Sequence, residues 1–144
     1  MRVSDCMTRD VRIASPDDTI QQAARLMAEI DSGVLPVGEN DRLVGMITDR
    51  DIAIRAVAQG KGPDCKVREV MSGAIRYCYE DDRLKDLLEN MGELQVRRLP
   101  VLDRNKRLVG IISLADTAKD RADKVGDALS AIAKRGGEHS QALH

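Results

Sequence analysis

Between residues 18 and 30 the apolar side chains Ile20, Ala23, Ala24, Met27 and Ile30 recur at helical spacing and paint one apolar stripe along a helix. Ser15 stands where it can cap that helix, Pro16 suits its first position, and Asp18 follows three residues after the cap. The period then changes. Two short apolar runs, 34–37 and 43–47, flank the polar Glu39-Asn40-Asp41, which predicts a β-hairpin. A second helix is predicted over 49–58. The same succession then returns. Leu84, Leu87, Leu88, Met91 and Leu94 make a second stripe, 99–102 and 108–112 a second hairpin, and a further helix begins near Leu114.

The return is residue by residue. At a constant offset Val3, Met7, Arg12, Asp17, Asp18 and Met27 fall on Val67, Met71, Arg76, Asp81, Asp82 and Met91, and Leu35-Pro36-Val37 falls on Leu99-Pro100-Val101. One extra residue in the second hairpin turn moves the register. After it, Arg42-Leu43-Val44-Gly45 meets Arg107-Leu108-Val109-Gly110, Ile47 meets Ile112, and Asp51 meets Asp116. This is a tandem duplication. Gly60, Gly62 and Pro63 punctuate a linker at 59–66. A half of about 60 residues buries too little surface to be secure alone, so the halves are expected to pack as one pseudo-symmetric α/β (α+β) unit. Val125, Leu129 and Ile132 predict a C-terminal helix over 124–135, which Gly136-Gly137 ends, leaving 136–144 as a flexible tail.

Composition removes several classes of function. The 144 residues are 42% apolar and 33% charged, with 23 Lys and Arg against 24 Asp and Glu. That near-neutral balance argues against nucleic acid as a partner. There is no Trp or Phe, and the two tyrosines, Tyr77 and Tyr79, are too few to stack single-stranded bases. They would share one strand face, open to packing or to adenine stacking. No apolar run approaches the roughly 18 residues of a membrane span, and the first ten residues carry no apolar signal region, so a cytoplasmic protein is expected. Cys6, Cys65 and Cys78 are odd in number and form no paired motif, which fits a reducing compartment. Both histidines, His139 and His144, lie in the tail, so no metal site is expected. With no nucleophile elbow, P-loop or dinucleotide-binding glycine fingerprint, an enzyme is not expected either.

The repeated segments resemble a pair of cystathionine-β-synthase (CBS) domains, a Bateman module of the stand-alone bacterial type. The resemblance rests on Met7-Thr8 and Met71-Ser72, the two Leu-Pro-Val strands, and the Leu-Val-Gly-x-Ile-(Thr/Ser)-x-x-Asp segments at 43–51 and 108–116. It implies CBS repeats at 2–58 and 67–123, each a short β-sheet packed on two helices. It also implies a regulatory, energy-sensing homodimer, with no required cofactor. Such a module would bind an adenine nucleoside or nucleotide (AMP, ADP, ATP or S-adenosylmethionine) between its repeats and signal to a downstream protein. The dimer is expected to pair the stripes at 20–30 and 84–94. Two other readings stay open: a ligand-independent dimerising scaffold, and a redox- or metal-responsive protein acting through its cysteines.

The candidate binding residues have their own chemistry. Thr48 and Asp51 lie where a strand hands over to a helix, and Ser113 and Asp116 repeat them. One ionised carboxylate can accept both hydroxyls of a ribose. Thr48 would bring a hydroxyl and the first helical amides near a phosphate, where the helix dipole favours an anion. Gly45 and Gly110 allow close backbone approach. The same Thr-x-x-Asp and Ser-x-x-Asp spacings also suit a helix capping box, and the two roles are compatible. The resemblance adds the residues before Leu-Pro to the pocket: Gly33 and Val34 in the first repeat, Arg97 and Arg98 in the second. An arginine fork there suits phosphate. Arg50 is a further phosphate candidate, whereas Leu114-Ala115 in place of Asp49-Arg50 leaves the second site without a polar neighbour.

Overall fold

A computed structural model describes residues 1–73, 76–117 and 122–133. The elements are α1 (Ile20–Ile30), β1 (Val34–Glu39), β2 (Arg42–Thr48), α2 (Asp49–Asp51), α3 (Val67–Val70), β3 (Cys78–Tyr79), α4 (Leu84–Leu94), β4 (Arg98–Leu102), β5 (Leu108–Ser113), α5 (Leu114–Thr117) and α6 (Ala122–Ala133). The predicted Gly136-Gly137 stop and the tail lie outside the described residues. So the chain is a mixed α and β protein built twice over, as its repeats imply.

It forms two compact units, and their boundaries differ from those of the sequence repeats. The α1 unit comprises Val11–Ile75 with Lys106–Leu108; the α4 unit comprises Met1–Asp10, Arg76–Asn105 and the described residues from Val109 on. Each repeat's leading segment therefore packs in the unit that holds the other repeat's hairpin.

In the α1 unit, β1 and β2 form an antiparallel pair in which Val34 faces Thr48 and Leu35 faces Ile47. Asn40 and Asp41 both have positive φ, 54° and 62°, the backbone of a tight two-residue hairpin turn. Ala14 adds to the free edge of β1, and Ser72 pairs with Met46 on the free edge of β2 through N–H···O bonds of 2.8 and 3.0 Å. A core of Ile20, Ala23, Met27, Leu35, Val37 and Ile47 is closed by Val67 and Val70 of α3. The α4 unit repeats the plan. There β3 runs parallel to β4, Thr8 pairs with Ile111 through two 2.9 Å bonds, and Val3 and Met7 enter a core of Leu84, Leu87, Leu88, Met91, Leu99, Val101 and Ile112. Burying side chains of this size contributes about 1.5–3 kcal/mol each.

Three expectations change. Helix α1 begins two residues later than its stripe implied, capped by Thr19, whose hydroxyl accepts the Gln22 N–H at 3.1 Å. Ser15 and Asp18 instead close a turn ahead of it: the Ser15 N–H donates to Asp18 Oδ2 at 2.8 Å, and the Asp18 carbonyl accepts the Val67 N–H at 2.8 Å. The helix predicted over 49–58 is continuous but irregular, passing from α2 into a π-helical stretch, Ile52–Ala56, and a closing 3-10 turn, Val57–Gln59. Finally, most of each stripe expected to pair two copies of the chain is used inside its own unit, where Ile20, Ala23, Met27, Leu84, Leu87, Leu88 and Met91 are buried, while Ala24 is exposed and Ile30 and Leu94 are half-buried. Large apolar side chains left exposed include Ile13, Ile54, Val57 and Leu129.

Tyr77 and Tyr79 pack on each other edge to face at 5.5 Å, with the Arg104 guanidinium 4.1 Å above the Tyr79 ring. Both tyrosine rings thus have protein neighbours.

A Cβ on Gly45 would lie 2.8 Å from the Ser72 carbonyl oxygen, and one on Gly110 would lie 2.9 Å from that of Thr8. The close approach these glycines permit is that of the pairing leader strands. Gly45→Ala and Gly110→Ala should each cost about 1–3 kcal/mol in urea unfolding, since backbone rather than a flexible side chain must move. A loss below about 0.5 kcal/mol would mean that the leader shifts freely.

Acid should weaken both units. The Arg68 guanidinium, 2.7 Å from Asp17, and that of Arg104, 2.8 Å from Asp81, hold both carboxyls below the ordinary carboxylate range. A depressed native value means the charged form favours folding, so this contribution is present above about pH 4 and lost as pH falls through the native value. The urea midpoint should fall through that window. The effect should shrink in high salt, because both pairs are exposed. A midpoint that stays flat to pH 3 would overturn this.

Candidate ligand-binding sites

In the α1 unit β1 and β2 bring Gly33, Val34, Thr48 and the start of α2 together. The register sets Val34 opposite Thr48, and the Gly33 carbonyl accepts the Asp49 N–H at 2.9 Å. Thr48 and Asp51 form a reciprocal capping box. The Asp51 N–H donates to Thr48 Oγ1 at 3.0 Å, and the Thr48 N–H donates to Asp51 Oδ2 at 2.9 Å. Asp49 folds back on its neighbour, Oδ1 accepting the Arg50 N–H at 2.8 Å. The three first amides of α2 therefore all have acceptors within the chain, while the Thr48 hydroxyl accepts the Asp51 N–H and keeps its own proton to donate.

The α4 unit builds the corresponding junction. The Arg97 carbonyl accepts the Leu114 N–H at 3.0 Å, the Ser113 N–H donates to Asp116 Oδ2 at 2.9 Å, and the Asp116 N–H reaches Ser113 Oγ at 3.4 Å. All nine candidate residues thus fall into two groups: Gly33, Val34, Thr48, Arg50 and Asp51 in one unit, Arg97, Arg98, Ser113 and Asp116 in the other. Arg50, Arg97 and Arg98 are exposed, and none of the ion pairs among the described residues engages them.

Sequence reasoning missed two neighbours of the junctions. Ser72 and Thr8 of the leader segments pair with β2 and β5 two residues before Thr48 and Ser113. Their duplication was visible, but their partner strand was not. Asp49 is the polar neighbour that the sequence implies. A Cβ on Gly33 would lie 2.7 Å from Asp49 Oδ2, so Gly33 is the residue that leaves room for this carboxylate. At the aligned positions of the other unit stand Arg97 and a buried Leu114. These paired changes between the repeats were the available signal.

The cysteines offer little chemistry. Burial, helped by the nearby Asp82 charge, pushes the Cys78 thiol up to about 12. Burial and the Glu69 carboxylate, 3.3 Å from the sulfur, push Cys65 up as well. No group of three His, Cys, Asp or Glu among the described residues could hold a metal ion. No helix among them is long and apolar enough to cross a membrane.

Two compact α+β units from duplicated sequence, each with a capped strand–helix junction beside its hairpin, define a tandem-repeat module. The CBS domain family model matches residues 3–57 and again 67–123, and the chain belongs to the CBS domain family. It is 43% identical over 132 residues to the CBS domain-containing protein YhcV of Bacillus subtilis, across 90% of this chain and 94% of that protein. The crystal structure of Hypoxic Response Protein I, with two coordinated zinc ions, is similar at a TM-score of 0.75 and 38% identity, covering 83% of this chain and 98% of that one. The CBS domain pair of protein MJ0100, in complex with 5′-methylthioadenosine and S-adenosyl-L-methionine, is similar at a TM-score of 0.73 and 27% identity, covering 86% of this chain and 98% of that one.

Thiolate is the reactive form of cysteine, so Cys78 should resist alkylation at neutral pH until the protein unfolds. Mass spectrometry after a timed iodoacetamide pulse would show this. Fast native labelling of Cys78 would favour the redox reading.

Proposed function

We propose that the protein is a regulatory ligand-sensing module. Its strand–helix junctions bind adenosine-containing ligands, and the ligand state is passed to a partner protein. The observation that carries this reading is the duplicated junction itself, Thr48 with Asp51 and Ser113 with Asp116, in a chain whose family relative MJ0100 was crystallised with two adenosine derivatives. Capping does not compete with binding. A carboxylate offers about four lone-pair sites, and the amide it caps uses one, so Asp51 and Asp116 keep acceptor capacity for ribose hydroxyls. Exposed Arg97 and Arg98 supply donor forks suited to phosphate. The role is regulatory rather than catalytic: the junctions offer acceptors and cations but no nucleophile paired with a base.

The scaffold reading predicts that the same aspartates serve stability alone. Adenosine, AMP, ADP, ATP and S-adenosylmethionine should be tested in thermal unfolding against cytidine. At least one adenine ligand should raise the melting temperature with concentration, as mass action requires. Asp51→Ala with Asp116→Ala should weaken binding by about one to two decades, or roughly 1.5–3 kcal/mol, beyond the roughly 0.5–2 kcal/mol of stability each cap supplies. Arg98→Ala should weaken ATP and leave adenosine nearly unchanged. If affinity survives the double variant and only stability falls, the aspartates are caps and the scaffold reading stands.

A further inference from the structure

The two junctions carry different charges at the same places. We propose that they divide adenosine ligands by charge, with Asp49 excluding phosphorylated ones from the α1 unit. This rests on the reading above that both junctions bind adenosine derivatives.

At the aligned positions the α1 unit carries Gly33, Val34, Asp49, Arg50 and Asp51, one cation against two anions. The α4 unit carries Arg97, Arg98, Leu114, Ala115 and Asp116, two cations against one anion. Arg55, on the helix that follows Asp51, is turned onto the Met71 carbonyl at 3.3 Å. The position of Asp49 matters more than the count. Its carboxylate lies over Gly33 and accepts the Arg50 N–H, so it already holds the place beside the junction that a ligand's anion would take. A phosphate arriving there would meet a like charge and an amide already committed. In the α4 unit Leu114 has no acceptor to offer the Ala115 amide, and its buried side chain joins the core instead. Arg97 and Arg98 then present exposed donors on the strand side. The α1 junction thus suits neutral or cationic adenosine derivatives, and the α4 junction suits phosphorylated ones.

The test compares adenosine with AMP by calorimetry on the wild type, Asp49→Asn and Asp49→Leu. Asparagine keeps an acceptor for the Arg50 amide and removes only the charge; leucine reproduces the residue of the other unit. Both variants should bind AMP about tenfold more tightly at the weaker site and leave adenosine within about twofold. The gain should shrink as salt rises, because Asp49 is exposed and screening at physiological ionic strength acts over about 8 Å. Thermal unfolding of each variant shows that it is folded. If AMP affinity does not move, or adenosine moves equally, Asp49 is not a charge filter, and the reading of adenosine binding survives. If neither ligand binds the wild type, that reading fails and takes this inference with it.

Discussion

A two-stranded hairpin is marginal in water, and while Ala14 and β3 cover one edge of each hairpin from within its own repeat, the edges of β2 and β5 are covered by segments of the other repeat. Ser72 lies along Met46 and Thr8 lies along Ile111, each the leader of one repeat laid on the strand of the other. Much follows from that pairing. Gly45 and Gly110 are required because the leader backbone passes where a Cβ would stand. Val3 and Met7, and Val67 and Val70, follow their leader strands into the cores and close them. The helix starts are held by the same segments: the Ile20 N–H donates to the Cys65 carbonyl at 2.8 Å, and the Leu84 N–H to the Met1 carbonyl at 3.0 Å. A single repeat would leave its sheet edge open and its core short of the other repeat's leader.

What could be read from the sequence was local or duplicated. The stripes of α1 and α4 were legible because helical periodicity needs only one face to be apolar, and the hairpins because Asn40-Asp41 marks a turn between two apolar runs. The exchange of leaders was not legible. It is a backbone pairing between distant segments, and backbone pairing leaves no periodic trace in side chains. The start of α1 was misplaced for a related reason. Ser15 and Asp18 do make a capping-like contact, but Asp18 also accepts from Val67, and that distant bond holds the turn apart from the helix.

The candidate sites divide in the same way. Thr48, Asp51, Ser113 and Asp116 were legible because capping and ligand binding ask for the same residue types at the same spacing. Asp49 was legible only as a polar neighbour, because its position over Gly33 is a fact of three-dimensional contact that spacing does not carry. The three first amides of α2 follow the same rule. Whether an amide is free for a ligand depends on which carbonyl or carboxylate lies nearby, and Gly33 and Asp49 fill that role here.

Duplication explains why the two junctions can differ without loss of fold. The residues that repeat unchanged, such as Leu-Pro-Val, the strand glycine and the aspartate of the cap, are those whose backbone or buried contacts build each unit. The residues that differ, Val34 against Arg98 and Arg50 against Ala115, leave their side chains at least partly open to solvent in both units, so changing them costs the fold little. Gly33 and Asp49 form a linked exception. Arginine at position 33 would place its Cβ 2.7 Å from Asp49 Oδ2, so that exposed carboxylate would have to swing aside, whereas beside Arg97 the aligned residue is Leu114. In the α4 unit that leucine is buried in the core, which turns a surface charge into packing while the arginines remain outside. The charge difference between the two junctions therefore goes together with one specific change in the core, Asp49 on the surface of one unit against Leu114 inside the other.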